Sequence, residues 1–510
     1  MDLLELEKRR PLGRLEAYSA IRHHLGFYNN VGMTATYTAC SAKNGSLQQK
    51  VFATLHHVIA CHPNLSSIPI NEEQPYPAIY FARLPSIDLR TCVEFRTRQR
   101  PIPKGDEDDE ELDEVLRSQH DLDFKPASPH RPCWRLIITV CPQDPESFTA
   151  SWIFHHALSD GASSLLFHET FLEYLNSISP EEDTSPIVPT PSTQDFLPPF
   201  EDLHPMSISW PFFLRAVGRS ILPSFFKPEA GLWTGERVRA TTGASHNTTV
   251  ALSADLTRRF ASKCREQKTS VTAALSTLLA AILLRSVSSE AGEQEKSVRI
   301  NMPIALRPFL DVDETQMVNA ITDLTCTFVV TGKSEPSQSE PSQSELSQSE
   351  PSNTGVTSVV QGFNWSTARR IKSELGAEVA QKGTDNPIAL LKYVSDMHEY
   401  FTSKIGKDRE TTAEVSNLGV WRARREGVLD GDQEAADGAR AEKNWRLGRM
   451  VLSQSVHRVG AMVSLSAVTG GDGCLVLSFN WGEPLDAEMV FLREVPGLVK
   501  EGITALANEG

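Results

Sequence analysis

His155-His156-Ala157-Leu158-Ser159-Asp160-Gly161 directly follows the apolar run Phe148-Thr149-Ala150-Ser151-Trp152-Ile153-Phe154. The run reads as a buried strand, and the heptapeptide sets an imidazole four residues ahead of an aspartate and a glycine. An imidazole titrates near neutrality, and a strand end fixes its direction better than a flexible loop does, which suits a general base. Gly161 permits a sharp turn, and Asp160 can anchor that turn electrostatically without reacting. Leu165, Leu172 and Leu175 then mark a helix ending near Asn176. The bland alternative is a satisfied strand-end histidine followed by a helix-capping aspartate.

Upstream, a second strand at Trp134–Val140 and the turn Cys141-Pro-Gln-Asp-Pro145 make a hairpin with the run. Ser46 opens a helix striped by Leu47, Val51, Leu55 and Ile59, with Gln49 placed for a capping box and Pro63 closing it. His56, His57 and His62 on this helix lack the i, i+4 pair and the acidic third ligand that a metal site needs. Residues 105–114 form a solvated acidic loop or a helix start. Pro180–Pro199 reads as an irregular crossing segment. Ile208–Phe226 is an apolar, aromatic helix that Pro211 and Pro223 keep short; it can touch a membrane surface or close a hydrophobic channel.

Downstream lie a strand at Thr248–Leu252, a helix at Val271–Leu284 capped by Thr269 or Ser270, and a strict period-two strand through Val298, Ile300, Met302, Ile304 and Leu306. That strand runs into Arg307-Pro308. Strands are also expected at Glu414–Leu418, Val451–Ser455, Gly460–Val468 and Cys474–Asn480, with Gly470-Gly-Asp-Gly473 turning the last hairpin. Ser334–Ser352 repeats a five-residue Ser/Glu/Pro/Gln unit almost without apolar content, so it is expected to be a disordered insertion.

Composition sets the outer bounds. A chain of 510 residues with 40% hydrophobic content can bury a large core and divide into domains. A net charge of −15 argues against nucleic-acid binding, which needs a basic stripe. Eight scattered cysteines without a C-x-x-C pair suit reduced, buried thiols. The start lacks a signal-peptide core, and the longest apolar run, Val271–Leu284, is too short to span a bilayer. No G-x-S-x-G, G-x-x-x-x-G-K, G-x-G-x-x-G or H-E-x-x-H occurs, which thins the competing enzyme classes.

The paired histidines between strand and helix resemble the CoA-dependent acyltransferase superfamily of chloramphenicol acetyltransferase, plant BAHD enzymes and condensation domains. More narrowly, the chain resembles fungal alcohol O-acetyltransferases through Arg10-Pro-Leu-Gly-Arg-Leu-Glu16, Arg22-His-His-Leu-Gly-Phe-Tyr28, Val31–Tyr37, Pro132-Cys-Trp-Arg-Leu136 and Ser416-Asn-Leu-Gly419. The resemblance implies an α/β (α+β) fold of two chloramphenicol-acetyltransferase-like lobes, each a mixed sheet with packed helices, and a tunnel between them. The expected division is an N-terminal lobe over 1–200, a crossing segment over 201–245 and a C-terminal lobe over 246–510, with an insertion at 333–355 and a variable loop at 425–443.

It further implies that His156 is the general base, that His155 supports it, and that Asp160 is a strut ion-paired with Arg307. Ser416 and Asn417 are oxyanion candidates, and Trp481 is a tunnel candidate more plausibly core. No metal and no bound cofactor are implied; acetyl-CoA or another acyl-CoA is the co-substrate. The expected partner is a small alcohol or amine, with no nucleic acid, a monomeric chain, and weak membrane association. The expected location is the cytoplasm, peripheral to endoplasmic reticulum or lipid droplets. The rival readings are a condensation-type or N-acyl catalyst using an amine or a carrier-bound acyl group, and a non-catalytic binding protein of the same fold. A docking assay with a pantetheinyl carrier separates the first, and retention of CoA release by His156→Ala favours the second.

Overall fold

The computed structural model describes residues 6–40, 46–125, 130–179, 182, 184–190, 196–204, 206–221, 231–240, 243–288, 296–329, 360–422, 445–483 and 485–509. The expected insertion at 333–355 and variable loop at 425–443 lie outside them, as do Pro223, Phe225 and Phe226. The strands of the two large sheets are, in chain order, β1 (Val31–Ala39), β2 (Val93–Thr97), β3 (Trp134–Cys141), β4 (Asp144–Phe154), β5 (Ser245–Leu252), β6 (Ser297–Ala305), β7 (Ile321–Val329), β8 (Ala413–Val420), β9 (Trp445–Gln454), β10 (Val463–Thr469) and β11 (Leu475–Gly482).

The first sheet has the order β9-β1-β4-β3-β2 and the second β5-β11-β10-β8-β6-β7. Both are mixed. In the first, β2 runs parallel to β3; in the second, β8 runs parallel to both β6 and β10. This is the expected pair of lobes, each a mixed sheet packed by helices. The division by sequence is not clean, because β9 comes late in the chain yet pairs with β1 in the first sheet.

Binary patterning explains each sheet's covered face. In the first lobe the helix Leu47–Cys61 buries Val51, Leu55 and Ile59, the expected stripe, while Gly161–Ser177 buries Phe167 and Phe171. Trp152 stacks between Phe154 and Phe167 at ring distances of 4.1 and 4.4 Å. Each such buried side chain contributes about 1.5–3 kcal/mol. Ser46 stands at the N-cap, but its side chain makes no capping bond. The helix is therefore held by packing and not by its capping box.

In the second lobe the helices Ala254–Glu266, Val271–Ser288 and Val495–Ala507 cover one face of the sheet around Phe260, Leu275, Leu278, Val499 and Ile503. Ser270 caps the middle helix by accepting from Ala273 N at 3.2 Å. The opposite face is polar, buried at its centre and open toward β7. Asn247, Asn480, Ser464, Glu414, Asn301 and Thr325 form one cross-strand row from β5 to β7, since each is paired with the next. Thr249, Ser478, Ser466 and Ser416 form the next row. Buried polar rows on an otherwise Val/Leu-rich sheet mark a face turned to something other than a hydrocarbon core.

β5 is an edge strand, and its outward N–H groups are taken by the first lobe. Ser245 N donates to Asp121 Oδ1 at 2.7 Å, Thr249 N to Asp113 Oδ2 at 3.0 Å and Ala251 N to Asp108 Oδ1 at 3.1 Å. The acidic run expected as a solvated loop or helix start thus opens the helix Glu110–His120, capped by Asp109, and staples the lobes together.

All eight cysteines are free and six are buried. Helix Trp210–Ile221 lies at the surface with Trp210 and Leu214 exposed. Among the described residues no single helix is long and apolar enough to cross a membrane.

Candidate active site

β4 ends at Phe154, where its partners Val31 and Trp134 also end, so the two histidines leave the sheet at the seam between lobes. His155 N donates to Cys133 O at 2.9 Å, and Leu158 N returns to His155 O at 3.0 Å, closing a turn. The two side chains then enter different surroundings, as neighbouring positions at a strand end do.

His155 is fully buried and meets Glu72 Oε1 through Nε2 at 3.2 Å; His23 Nδ1 meets Glu72 Oε2 at 3.3 Å. The tautomers follow from the other ring nitrogens. His155 Nδ1 accepts from Ala157 N at 3.0 Å, and His23 Nε2 accepts from Phe124 N at 2.8 Å. Each imidazole therefore carries its proton on the side facing Glu72. The three groups lie close enough to hold a metal ion. With protons on both facing nitrogens they form a hydrogen-bonded chain, because a ligating histidine needs that nitrogen bare and a proton on its other one. Burial would raise the Glu72 pKa, but the two imidazole hydrogen bonds outweigh it and hold the carboxyl well below the usual range.

His156 is only partly buried. Its Nδ1 is sealed from solvent, so Nε2 is the ring nitrogen left unsealed. Burial, then the nearby Arg22 charge, lowers its pKa to about 4, while backbone groups of His156 and Ser159 offset part of this. Burial and the Arg22 charge both favour the unprotonated ring, the form a general base needs. Asn319 Nδ2 from the other half donates to His156 O at 2.8 Å and fixes the backbone beneath it.

Asp160 caps the helix Gly161–Ser177: its Oδ1 accepts from Ser163 N at 2.8 Å and its Oδ2 from Ala320 N at 3.1 Å. Burial raises its pKa; the two N–H groups and the Arg307 charge oppose that. Arg307 reaches this cap through Ser163, with Nη1 3.3 Å from Ser163 Oγ, and its Nη2 donates to the carbonyls of Glu314 and Gln316. Asp160 thus reaches the second half through Ala320 N, and the Arg307 charge acts on the same carboxylate. Gly161 packs closely on β8: a Cβ there would stand 2.9 Å from Leu418 Cδ2, so the leucine tip would have to shift.

Ser416 lies in the polar row facing the seam. Asn417 points to the other side of the sheet, where Nδ2 donates to Thr272 Oγ1 at 3.1 Å and Oδ1 accepts from Gly419 N. Trp481 is buried in the helix-covered core and stacks on His246 at 4.3 Å. His56, His57 and His62 bond to Ser185 O, Glu182 Oε2 and Thr170 Oγ1, tying their helix to the segment that follows the motif.

Glu72, Asn319, Tyr28, His457 and Gln454 are site residues that sequence reasoning did not single out. The Tyr28 ring lies 5.8 Å from that of His156 and 4.2 Å from that of His457, and its hydroxyl donates to Gln454 Oε1 at 2.9 Å. The signal available for the second lobe was the alternation of Ser and Asn in strands otherwise built of Val and Leu.

A family model described as alcohol acetyltransferase matches residues 11–489. The probable alcohol acetyltransferase crmB of Aspergillus fumigatus is 32% identical over 485 residues, covering 92% of this chain and 94% of that one. Among solved structures, the TRI3 trichothecene 15-O-acetyltransferase of Fusarium sporotrichioides superposes with a TM-score of 0.64 at 12% identity, over 98% of this chain and 95% of that one. The first condensation domain of the calcium-dependent antibiotic synthetase reaches 0.56 at 11% identity, over 98% and 95%. The two solved structures share the two-lobed fold, and the sequence match goes further: this chain belongs to the alcohol acetyltransferase family and is an acyltransferase.

Proposed function

We propose that the protein transfers an acetyl group from acetyl-CoA directly to an alcohol, with His156 Nε2 as the general base. The observation that carries this reading is the state of that imidazole. Asn319 from the second half holds its backbone carbonyl at 2.8 Å, its Nδ1 is sealed and Nε2 is not, and burial with the nearby Arg22 charge favours the unprotonated ring.

The acceptor O–H gives its proton to Nε2 as its oxygen attacks the thioester carbonyl carbon. The carbonyl π pair moves onto oxygen, the tetrahedral species collapses, and the C–S bond breaks. The departing thiolate takes the proton back from the imidazolium, leaving ester and free CoA. A thioester is already activated, so positioning and one well-placed base suffice without an acyl-enzyme. Asp160 and the His155–Glu72–His23 chain hold the loop that carries His156, and Asp160 touches no substrate.

The test is CoA release and product mass spectrometry with acetyl-CoA and a mixed library of alcohols and amines. Wild type is expected to yield acetyl esters, and His156→Ala to lose about 10²–10⁴-fold in kcat/KM. Unchanged CoA release by His156→Ala would overturn the reading, and products confined to amides would reassign the acceptor.

A further inference from the structure

Among the described residues, the buried arginines are hydrogen-bonded with one exception. Arg98 forks onto Asp109 at 2.9 and 2.7 Å. Arg135 donates to Gln119 Oε1 and to three carbonyls, and Arg449 donates to the carbonyls of Glu107 and Gly105. Arg22, in the last turn of the helix Arg14–His24, is 9% exposed. Its Nε is sealed with no partner, and among the described residues its guanidinium makes no hydrogen bond or ion pair.

What holds Arg22 is aromatic: its Cζ lies 4.4 Å from the Tyr18 ring centre and 4.9 Å from that of Tyr28. Cation–π contact of this kind offsets about 2 kcal/mol, against a desolvation cost of several kcal/mol for a buried cation. An opposite charge acting on it through space is Glu414, whose carboxylate is already engaged by Gln454 Nε2 at 3.1 Å and Asn301 Nδ2 at 3.5 Å. The guanidinium therefore keeps donors in hand.

The place is informative. The Tyr28 ring is shared: Arg22 Cζ lies 4.9 Å from its centre, the His156 ring 5.8 Å and the His457 ring 4.2 Å, and both imidazoles are only partly buried. A fixed cation beside a general base opposes protonation of that base, and burial followed by the Arg22 charge keeps the His156 pKa low. The arrangement is productive only if negative charge arrives in the same step.

We propose that Arg22 is a catalytic residue, donating from its guanidinium to the thioester carbonyl oxygen as that oxygen becomes the oxyanion. This rests on the acyl-transfer reading above. As the acceptor proton moves to His156 Nε2 and the new C–O bond forms, one negative charge appears on the carbonyl oxygen and one positive charge on the imidazole. Arg22 offsets the first and so relieves its own penalty on the second. When the C–S bond breaks, the oxyanion pair reforms the carbonyl, the thiolate takes the proton, and Arg22 returns to its aromatic bracket unchanged. Ser416, on the polar row of β8, is placed to be a second donor.

The experiment compares Arg22→Gln, Arg22→Lys and Arg22→Ala with wild type in the same acetyl-CoA assay, folding being checked by circular dichroism. Loss of an oxyanion donor should lower kcat about 10²–10³-fold while KM for acetyl-CoA stays within a few-fold. The acid limb of kcat/KM should move upward in Arg22→Gln and stay in place in Arg22→Lys. Guanidinium ion in solution should restore part of the rate of Arg22→Ala. A raised KM with kcat intact, or a lowered kcat with neither rescue nor a shifted acid limb, would overturn the assignment. His156→Ala separates the two failures: if it keeps the wild-type rate the acyl-transfer reading falls, and if it is inactive while Arg22→Gln keeps its kcat only the role of Arg22 falls.

Discussion

Asp160 spends both carboxylate oxygens on backbone amides, one from its own helix and one from Ala320 in the second half of the chain. Asp160→Asn keeps one acceptor but turns an NH2 group toward the other amide, so a buried donor faces a buried donor. The expected cost is about 1–3 kcal/mol, read as a lower urea midpoint, together with loss of activity because the same loop carries His156. Wild-type stability and rate in this variant would remove the strut. Where His156, Asp160 and Arg307 sit in the fold was legible in the sequence, because they lie in one strand–turn–helix and at one strand end. Glu72 and His23 were not legible as partners of His155. They lie 83 and 132 residues away, and nothing in a loop carboxylate's local sequence announces which imidazole it will meet. Asn417 carried the expected residue type, yet strand alternation turns it toward Thr272 and leaves Ser416 facing the seam.

At the scale of elements, the hairpin turn at Gly470–Gly473 shows how the sheets are joined. Gly471 N donates to Gly448 O at 2.8 Å, just where β9 shifts register between Leu447 and Met450. A Cβ at Gly471 would run into the backbone carbonyl of Leu447, which unlike a side-chain tip has nowhere to go. Gly471→Ala should cost about 1–3 kcal/mol and lower the thermal midpoint; an unchanged midpoint would mean that the β9 kink is compliant. Period-two patterning located Ser297–Ala305 and Leu475–Gly482 to within a few residues, because one face of each is apolar. It did not assign β9 to the first sheet. Alternation fixes which face of a strand is buried and says nothing of which neighbour supplies its ladder.

Across the whole molecule, the seam between lobes carries a pH-dependent term at Asp113. Burial raises its pKa to about 7, with the amide and side-chain hydrogen bonds of Thr249 and Asn247 opposing. The folded state thus prefers the neutral acid. The stability this supplies is full below the unfolded value near 4 and is lost as pH rises through about 7. Asp113→Asn has no such titration. Wild-type stability minus that of the variant should therefore fall by up to about 1.4 kcal/mol per pH unit between pH 4 and 7 in paired denaturation curves. A constant difference would place the group in solvent. The two-lobed plan was legible through the family resemblance that the His155–Gly161 stretch and its companions carry, and not from patterning alone. The stapling of one lobe to the other was not, since an acidic run reads the same whether it faces water or amides. The staple also bears on how the protein behaves in company. A sheet edge with free N–H groups is a template on which another chain can lengthen the ladder. At β5 those positions are filled from within by Asp121, Asp113 and Asp108. A carboxylate accepts from an amide but offers no strand of its own to extend, so the contact that joins the lobes also closes this one edge to a neighbouring copy.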